Sequence, residues 1–207
     1  MLFRSQVAVR ADIGLDFSSA LRSILRQDPD IVMVGEIRDN ETADIAVKAA
    51  LTGHQVLSTL HTNDAAGAIT RLDDMGIEPF LISSSILMTC AQRLVRRICT
   101  NCREEFVPEP EILERLGMED AKGTVFYHGT GCDRCKGRGY LGRVAILEAL
   151  PVSEAVRRLI IKRASAAVIK NQAINEGMKT LRVVGLEKAV EGITTLEEIW
   201  RVTSEDH

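Results

Sequence analysis

The stretch from Asp28 to Asp39 constrains the fold of this chain more than any other. Its centre, Ile31–Val34, is a short apolar run that favours a central strand covered on both faces, although a buried helix fits the same run. Gly35 then allows the backbone to turn or a ligand to approach closely. Three charged residues follow at once: Glu36, Arg38 and Asp39.

These charged residues are expected at the edge of a sheet where α/β proteins bind ligands. A second strand, Gln55–Leu60, is followed by His61, and helices flank both strands with short connections, which predicts a parallel sheet. The loops bearing Glu36 and His61 should then open onto the same edge. A carboxylate there could hold a metal ion or orient a water molecule. The alternative is that Glu36 and Arg38 form a solvated loop pair and that His61 is structural.

Apolar periodicity predicts the remaining elements. Gln6–Arg10 is interpreted as an edge strand. A helix is predicted over Ser83–Arg97, with Cys90 as a small core residue on its apolar stripe. Arg93, Arg96 and Arg97 would form a basic patch at the end of that helix, placed there by the helix dipole or for an anionic partner. Further helices are predicted from Phe17, from Asn40, from Ala65, around Val156–Ile160, within Ala164–Glu176, over about Thr180–Glu191 and from Thr195. A loop or a short helix is expected over about Glu109–Leu116.

Two C-x-x-C pairs indicate a metal site. They are Cys99 with Cys102 and Cys132 with Cys135. Four thiolates match the tetrahedral preference of Zn²⁺, and such a closed site leaves no position for a substrate, so its role would be structural. The alternatives are two labile disulfide pairs, four unrelated core cysteines or an iron–sulfur cluster.

Composition indicates which kinds of partner and which cellular compartment to expect. The net charge is -3, the pI is about 5.9 and aromatic residues make up 4% of the chain, so neither a basic field nor a base-stacking surface for nucleic acid is expected. No apolar run approaches the length of a membrane span, and the first residues lack a signal-peptide core. We therefore expect a cytoplasmic protein with reduced or metal-bound cysteines.

The motifs together resemble a known family. Leu25–Asp39 resembles the Walker B segment of the ATPases that power type II secretion and type IV pilus assembly, and Thr52–Asn63 resembles their histidine box. The paired cysteines, followed by Lys136–Arg143, are similar to the zinc lobe of the assembly branch, which pilus retraction motors generally lack. The similarity continues to Gly192–Glu198.

The resemblance implies a RecA-like ATPase that works as a homohexamer at the inner face of the cytoplasmic membrane. Glu36 would help to hold Mg²⁺ and water at the phosphates of ATP, and His61 would contact the γ-phosphate region. Gly35 and Arg38 would lie in the nucleotide-binding segment. The partners would be the inner-membrane platform proteins of a secretion or pilus system. The motor would push pilin-like subunits out of the membrane.

Two motifs of the family are missing from these 207 residues: the phosphate-binding G-x-x-x-x-G-K-[ST] loop and the acidic box. We therefore expect the C-terminal portion of a longer ATPase, inactive alone, with an α/β fold in three parts. Residues 1–97 would be half of a RecA-like core, 98–150 a zinc lobe and 151–207 a helical segment. The alternative function is a non-enzymatic, zinc-dependent binding module for nucleic acid or an acidic partner, which the negative charge disfavours.

Overall fold

A computed structural model describes residues 5–121 and 123–203, and the chain divides into two compact units. Within the described residues, the first unit comprises 5–62, 66–89 and 151–173. The second comprises 63–65, 90–150 and 174–203, apart from residue 122. In the described part of the chain, no helix is both long enough and apolar enough to cross a membrane.

Helix and strand alternate over the first five elements, and four consecutive helices end the described chain. In order they are α1 (Phe17–Leu25), β1 (Ile31–Val34), α2 (Asn40–Leu51), β2 (Gln55–Ser58), α3 (Ala65–Asp74), α4 (Pro79–Ser85), β3 (Met88–Ile98), β4 (Arg103–Phe106), α5 (Pro110–Arg115), β5 (Phe126–Gly129), β6 (Tyr140–Pro151), α6 (Glu154–Ile161), α7 (Ala166–Asn175), α8 (Leu181–Val190) and α9 (Leu196–Thr203). Short 3₁₀ turns occupy Ala11–Ile13, Glu119–Ala121 and Asp133–Cys135. The predicted helices after Phe17, Asn40, Ala65, Val156 and Thr195 are confirmed, as are those near 164–176 and 180–191, and the expected loop or short helix near 109–116 is a short helix.

The first unit is built around the parallel pair β1–β2. Val32 pairs with Val56 and Val34 with Ser58, so both strands run in the same direction and end at the same edge. Helix α1 packs against α2, and α4 packs against α6. A capping aspartate fixes the start of α1. Asp16 accepts a hydrogen bond from the Ser19 amide at 2.8 Å, which satisfies a donor that the first turn leaves unpaired. The predicted parallel arrangement is confirmed.

The second unit combines two small sheets with C-terminal helices. β3 pairs with β6, and β4 pairs with β5 in an antiparallel ladder that sets Phe106 opposite Phe126. Helix α8 packs against α9 and against β5. Phe126, Leu113 and Ile199 are almost fully buried. This unit carries all four cysteines of the predicted metal site.

The predicted helix over Ser83–Arg97 is wrong. Helix α4 ends at Ser85, and Met88–Ile98 is the strand β3. Its buried residues Ala91, Val95 and Ile98 are four and three positions apart, which is a helical spacing. The hydrogen-bonding partner of β3 is β6, which lies far along the chain, so the pairing that decides the structure leaves no local signal. Cys90 is exposed, not a core residue.

Two further predictions fail in the first unit. Residues 5–9 form no strand, and the nearby pairing is an isolated bridge between Arg10 and Leu15. The strand β1 is not covered on both faces, because Val32 and Val34 are buried while Ile31 and Met33 are 65% and 73% exposed. A run of four apolar residues cannot reveal whether its second face has a covering layer.

Candidate functional site

The carboxyl ends of β1 and β2 bring the predicted charged residues together. Beyond the strands, the Ile37 amide donates to the Thr59 carbonyl at 3.0 Å, and the Thr59 hydroxyl donates to the Gly35 carbonyl at 2.7 Å. These two bonds tie the loop after β1 to the loop after β2. Glu36 and His61 therefore lie on the same edge, as the order of elements predicts.

Glu36 lies between Arg38 and His61. One carboxylate oxygen is 2.6 Å from an Arg38 guanidinium nitrogen, and the other is 3.0 Å from Nε2 of His61. The Glu36 side chain is 23% exposed, whereas those of Arg38 and His61 are 67% and 81% exposed. The arrangement is thus a partly sheltered carboxylate with two solvent-facing partners.

The two partners favour the charged form of Glu36. The hydrogen bond from Arg38, and then that from His61, lowers the pKa of the Glu36 carboxyl below its ordinary value. Glu36 is therefore ionised at neutral pH and can serve a divalent cation or a water molecule.

Gly35 precedes this carboxylate, and its own backbone does not explain the choice of glycine. A Cβ at Gly35 would lie 3.6 Å from the Phe17 ring, which is an ordinary contact, and Gly35 has no positive φ. Neither the turn nor the packing excludes a side chain. The described structure therefore gives no steric reason for a glycine at this place.

Asp39 has a structural role at the start of α2. Its carboxylate accepts hydrogen bonds from the Thr42 amide at 2.7 Å and from the Thr42 hydroxyl at 3.1 Å. Asp39 is thus the N-cap of α2 and holds the end of the loop that carries Glu36. The sequence signal was present, since an aspartate directly before an apolar helical stripe is typical of a cap.

The four cysteines of the C-x-x-C pairs converge. Their sulfur atoms all lie within 4.8 Å of one another. The pairs Cys99–Cys132 and Cys102–Cys135 have Sγ–Sγ distances of 3.9 Å, and Cys132–Cys135 has 3.8 Å. Four sulfurs at about 2.3 Å from one tetrahedral ion would be separated by about 3.8 Å, so the donor set fits a single metal ion. The alternative of four unrelated core cysteines is wrong.

The loop around the cysteines supports bound thiolates. The amides of Cys132 and Gly139 each donate to Sγ of Cys135 at 3.2 Å. A backbone hydrogen bond from Cys135 lowers the pKa of Cys132 to about 6, while burial raises the pKa of Cys102 to about 12. Cys132 is therefore more easily deprotonated than Cys102, and a cation bound by both would displace the Cys102 proton.

Two glycines allow the knuckles to close. A Cβ at Gly129 would lie 2.0 Å from the Gly139 carbonyl oxygen, and a Cβ at Gly139 would lie 2.3 Å from the Gly129 carbonyl oxygen. No side chain fits either position. The Gly139 carbonyl accepts from the Cys99 amide at 2.9 Å, so this close approach joins the two cysteine pairs. The amide of Gly139 also donates to Sγ of Cys135, so this glycine serves both the close approach and the thiolate.

Comparison with known proteins decides the family. Residues 4–201 match the family described as Type II/IV secretion system protein. The chain belongs to this family. It is 57% identical over 203 residues to the type IV pilus assembly ATPase PilB of Thermus thermophilus, covering 97% of this chain and 23% of that protein. It is 50% identical over 200 residues to the type II secretion system ATPase E of Vibrio cholerae, covering 97% of this chain and 40% of that protein.

Solved structures agree on the fold of this secretion-family chain. The crystal structure of the pilus retraction motor PilT with bound ADP has a TM-score of 0.63 and 27% identity, covering 92% of this chain and 45% of that one. The DotB ATPase of Legionella pneumophila has a TM-score of 0.62 at 23% identity, covering 91% of this chain and 42% of that one, and supports the fold alone. The chain thus spans less than half the length of each relative named here.

Sequence reasoning missed a buried carboxylate in the second unit. Glu198 is fully buried on α9 and accepts hydrogen bonds from Arg96 and Arg201. Arg96 belongs to the basic patch on which the alternative function rested. Because its guanidinium binds Glu198 at 2.7 Å, that patch is partly neutralised within the protein. No observation favours the nucleic-acid alternative over membership of the secretion family.

Proposed function

We propose that this chain is part of a longer, hexameric ATPase that drives the assembly of a type IV pilus or of a type II secretion pseudopilus. The names of PilB and of secretion ATPase E support the activity, and their greater length supports a longer protein. The observation that carries the proposal is the meeting of Glu36, Arg38 and His61 at the ends of two parallel strands.

Within that ATPase, Glu36 would hold Mg²⁺ and orient the attacking water, and His61 would contact the γ-phosphate region. Bound Mg²⁺ supplies charge stabilisation for the transferring phosphoryl group. Gly35 would leave room for the nucleotide, and Arg38 would keep the carboxylate ionised until the cation takes its place. The phosphate-binding loop would come from another part of the longer protein, since none occurs in this sequence.

The proposal is tested in the full-length protein by measuring Mg-ATP binding and turnover separately. Glu36→Gln keeps the shape but removes the charge, and we expect turnover to fall about 100-fold or more while the Kd for nucleotide stays within about threefold. His61→Ala should slow turnover less. Asp30→Asn is the matched control, because Asp30 directly precedes the amino end of the same strand β1. Parental turnover in both Glu36→Gln and His61→Ala would contradict these roles.

We further propose that Cys99, Cys102, Cys132 and Cys135 hold one structural zinc ion. The sulfur separations support a single tetrahedral ion, and four protein ligands leave no open position for a substrate. The chain would then have three parts. Residues 1–97 would be half of a RecA-like core, residues 98–150 a zinc lobe and residues 151–207 a helical segment.

The zinc lobe would dock the motor on inner-membrane platform proteins and so bring the ATPase to the cytoplasmic face of the membrane. The lobe has its own pair of short strands and its own metal-ligating set, which supports a small rigid arm. Replacing residues 98–144 of the full-length protein with a flexible linker tests this role. Docking predicts that basal ATP turnover continues while piliation or secretion stops. A linker variant that fails to fold or to assemble would show that the lobe only braces the ATPase.

A further inference from the structure

The second unit contains an apolar cavity that the proposed ATP chemistry and metal site do not use. Its volume is about 530 Å³, which lies in the range of binding pockets for ligands and anchor side chains. Residues from β4, α5, β6 and α9 line it. The apolar part of the lining consists chiefly of Phe106, Ile112, Leu116, Tyr140, Leu196 and Trp200.

The walls of this cavity are held in place by polar contacts. The Tyr140 hydroxyl lies 2.8 Å from the Thr195 hydroxyl, and the Arg96 guanidinium covers the Tyr140 ring at 4.1 Å. Phe106 meets the His128 ring edge to face, with centroids 5.3 Å apart. A cavity whose aromatic walls are fixed beforehand binds with less loss of side-chain freedom than one that must assemble around its ligand.

The surroundings of the cavity are acidic. Between Arg103 and Arg115 the sequence has no basic residue and five glutamates, at 104, 105, 109, 111 and 114. All five are exposed, as is Glu197, which lines the cavity from α9. Among the described residues, none of these six carboxylates has an ion-pair partner. Glu104 lies opposite His128 in the β4–β5 ladder, so this charge extends along the element that carries the cavity wall.

We propose that this cavity is a docking site for a basic peptide segment of a partner protein, which inserts one bulky apolar side chain between Tyr140 and Trp200. The inference deepens the docking role proposed above and rests on it, since it names the chemistry of the segment that the lobe would recognise. The apolar side chain supplies the buried anchor, and lysines or arginines on either side of it meet the acidic surroundings.

The spread of the charges favours a peptide over a small amine. The carboxylates come from β4, α5 and α9, whereas a single small cation could approach only one or two of them. A peptide of several residues can place one side chain in the cavity and still bring cations to both β4 and α5. Exposed carboxylates that have no ion pair within the described side chains keep their charge available for such a segment and raise its rate of association.

The probe is the hexapeptide Lys-Lys-Phe-Leu-Lys-Lys, titrated into this chain by calorimetry and followed by the emission of Trp200. Trp200 is the single tryptophan of the chain and is 41% exposed, so an inserted side chain should shift its emission to the blue. We expect saturable binding that weakens at least about tenfold when alanines replace Phe and Leu in the peptide. A peptide with glutamates in place of the lysines should not bind.

The matched protein variants separate the site from general charge attraction. Glu111→Lys with Glu114→Lys should weaken the hexapeptide at least about tenfold, whereas Asp74→Lys with Glu154→Lys makes the same change of net charge on the first unit and should have little effect. Ile112→Glu, at a half-exposed position of the cavity, should also abolish the Trp200 shift.

Several results would overturn the inference. One is that the hexapeptide shows no saturable binding, and another is that both charge-reversed proteins bind it equally weakly. A third is that the alanine peptide binds as tightly as the hexapeptide. If phenylalanine amide bound as tightly as the hexapeptide, the cavity would be a small-amine site. The titration needs no nucleotide and no other protein. Failure of the peptide to bind would therefore leave the ATPase proposal untouched, and an inactive full-length protein would leave a positive titration standing.

Discussion

Replacing Glu198 with glutamine tests the strongest polar contact of the second unit. Glu198 is fully buried on α9 and accepts hydrogen bonds from the Arg96 amide, from the Arg96 guanidinium and from the Arg201 guanidinium. The variant Glu198→Gln keeps the size of the side chain but removes the carboxylate that the Arg96 and Arg201 guanidinium groups share. Arg96 belongs to β3, so the change loosens the attachment of α9 to that strand.

The expected loss follows from the pKa. Burial alone would raise the pKa of Glu198, but the hydrogen bonds from Arg201 and Arg96 outweigh burial and lower it from 4.5 to about 2. A difference of this size corresponds to about 3 kcal/mol of unfolding free energy at neutral pH. Because the side chains of Arg96 and Arg201 are 45% and 59% exposed and can be rehydrated, we expect a loss of about 2 kcal/mol.

The assay is urea unfolding followed by the emission of Trp200, which lies on the same helix as Glu198. The direction of the pKa shift fixes how the unfolding free energy depends on pH. Since the folded pKa lies below the unfolded one, the stabilisation is complete above about pH 5 and is lost as pH falls through about 2. The difference between the parent and Glu198→Gln should therefore shrink below pH 5.

Glu197→Gln is the matched control for this experiment. Glu197 is the neighbouring, exposed glutamate of α9 and should change the unfolding free energy by less than about 0.5 kcal/mol. The reasoning is refuted if Glu198→Gln unfolds at the same urea concentration as the parent. It is also refuted if the difference between the two proteins is the same at pH 7 and at pH 3.

Three further predictions follow from the site. The chain purified without added zinc should carry about one equivalent of zinc. Cys99→Ser should lose the metal and unfold the second unit, whereas Cys90→Ser, at the exposed fifth cysteine, should keep the metal and the fold. A folded parent without metal would contradict this. Asp39→Ala should lower the unfolding free energy by about 1 kcal/mol in urea melts, because α2 loses its cap; no change would contradict the assignment. This chain alone should show neither tight binding of Mg-ATP by calorimetry nor turnover, because the phosphate-binding loop is missing; a micromolar site with turnover would contradict it.

The sequence predicts the first unit well because its decisive signals are local. Asp16 and Asp39 are caps that directly precede apolar helical stripes, and the short connections between helices and strands require a parallel pair. The meeting of Glu36 with His61 follows from that topology. The individual contacts do not, since the hydrogen bond from Thr59 to Gly35 depends on the register between two strands.

The second unit is harder to predict because its decisive contacts join distant parts of the chain. β3 was mistaken for a helix, since the spacing of Ala91, Val95 and Ile98 suits one and the pairing with β6 is invisible locally. Glu148 shows the same limit: it is fully buried and accepts from the Ala65 and Leu181 amides at 2.9 and 3.2 Å. The metal site can be recognised in the sequence because metal ligation imposes a fixed spacing on the paired cysteines.

The central claim is that the charged cluster after β1 serves a motor that assembles pili or pseudopili. Its most direct test is a strain whose gene for the full-length protein carries Glu36→Gln, compared with one carrying Asp30→Asn at the same protein level. The measurement is the amount of surface pili or of secreted protein. The account predicts that Glu36→Gln abolishes assembly and that Asp30→Asn does not. Normal assembly in the Glu36→Gln strain would contradict it.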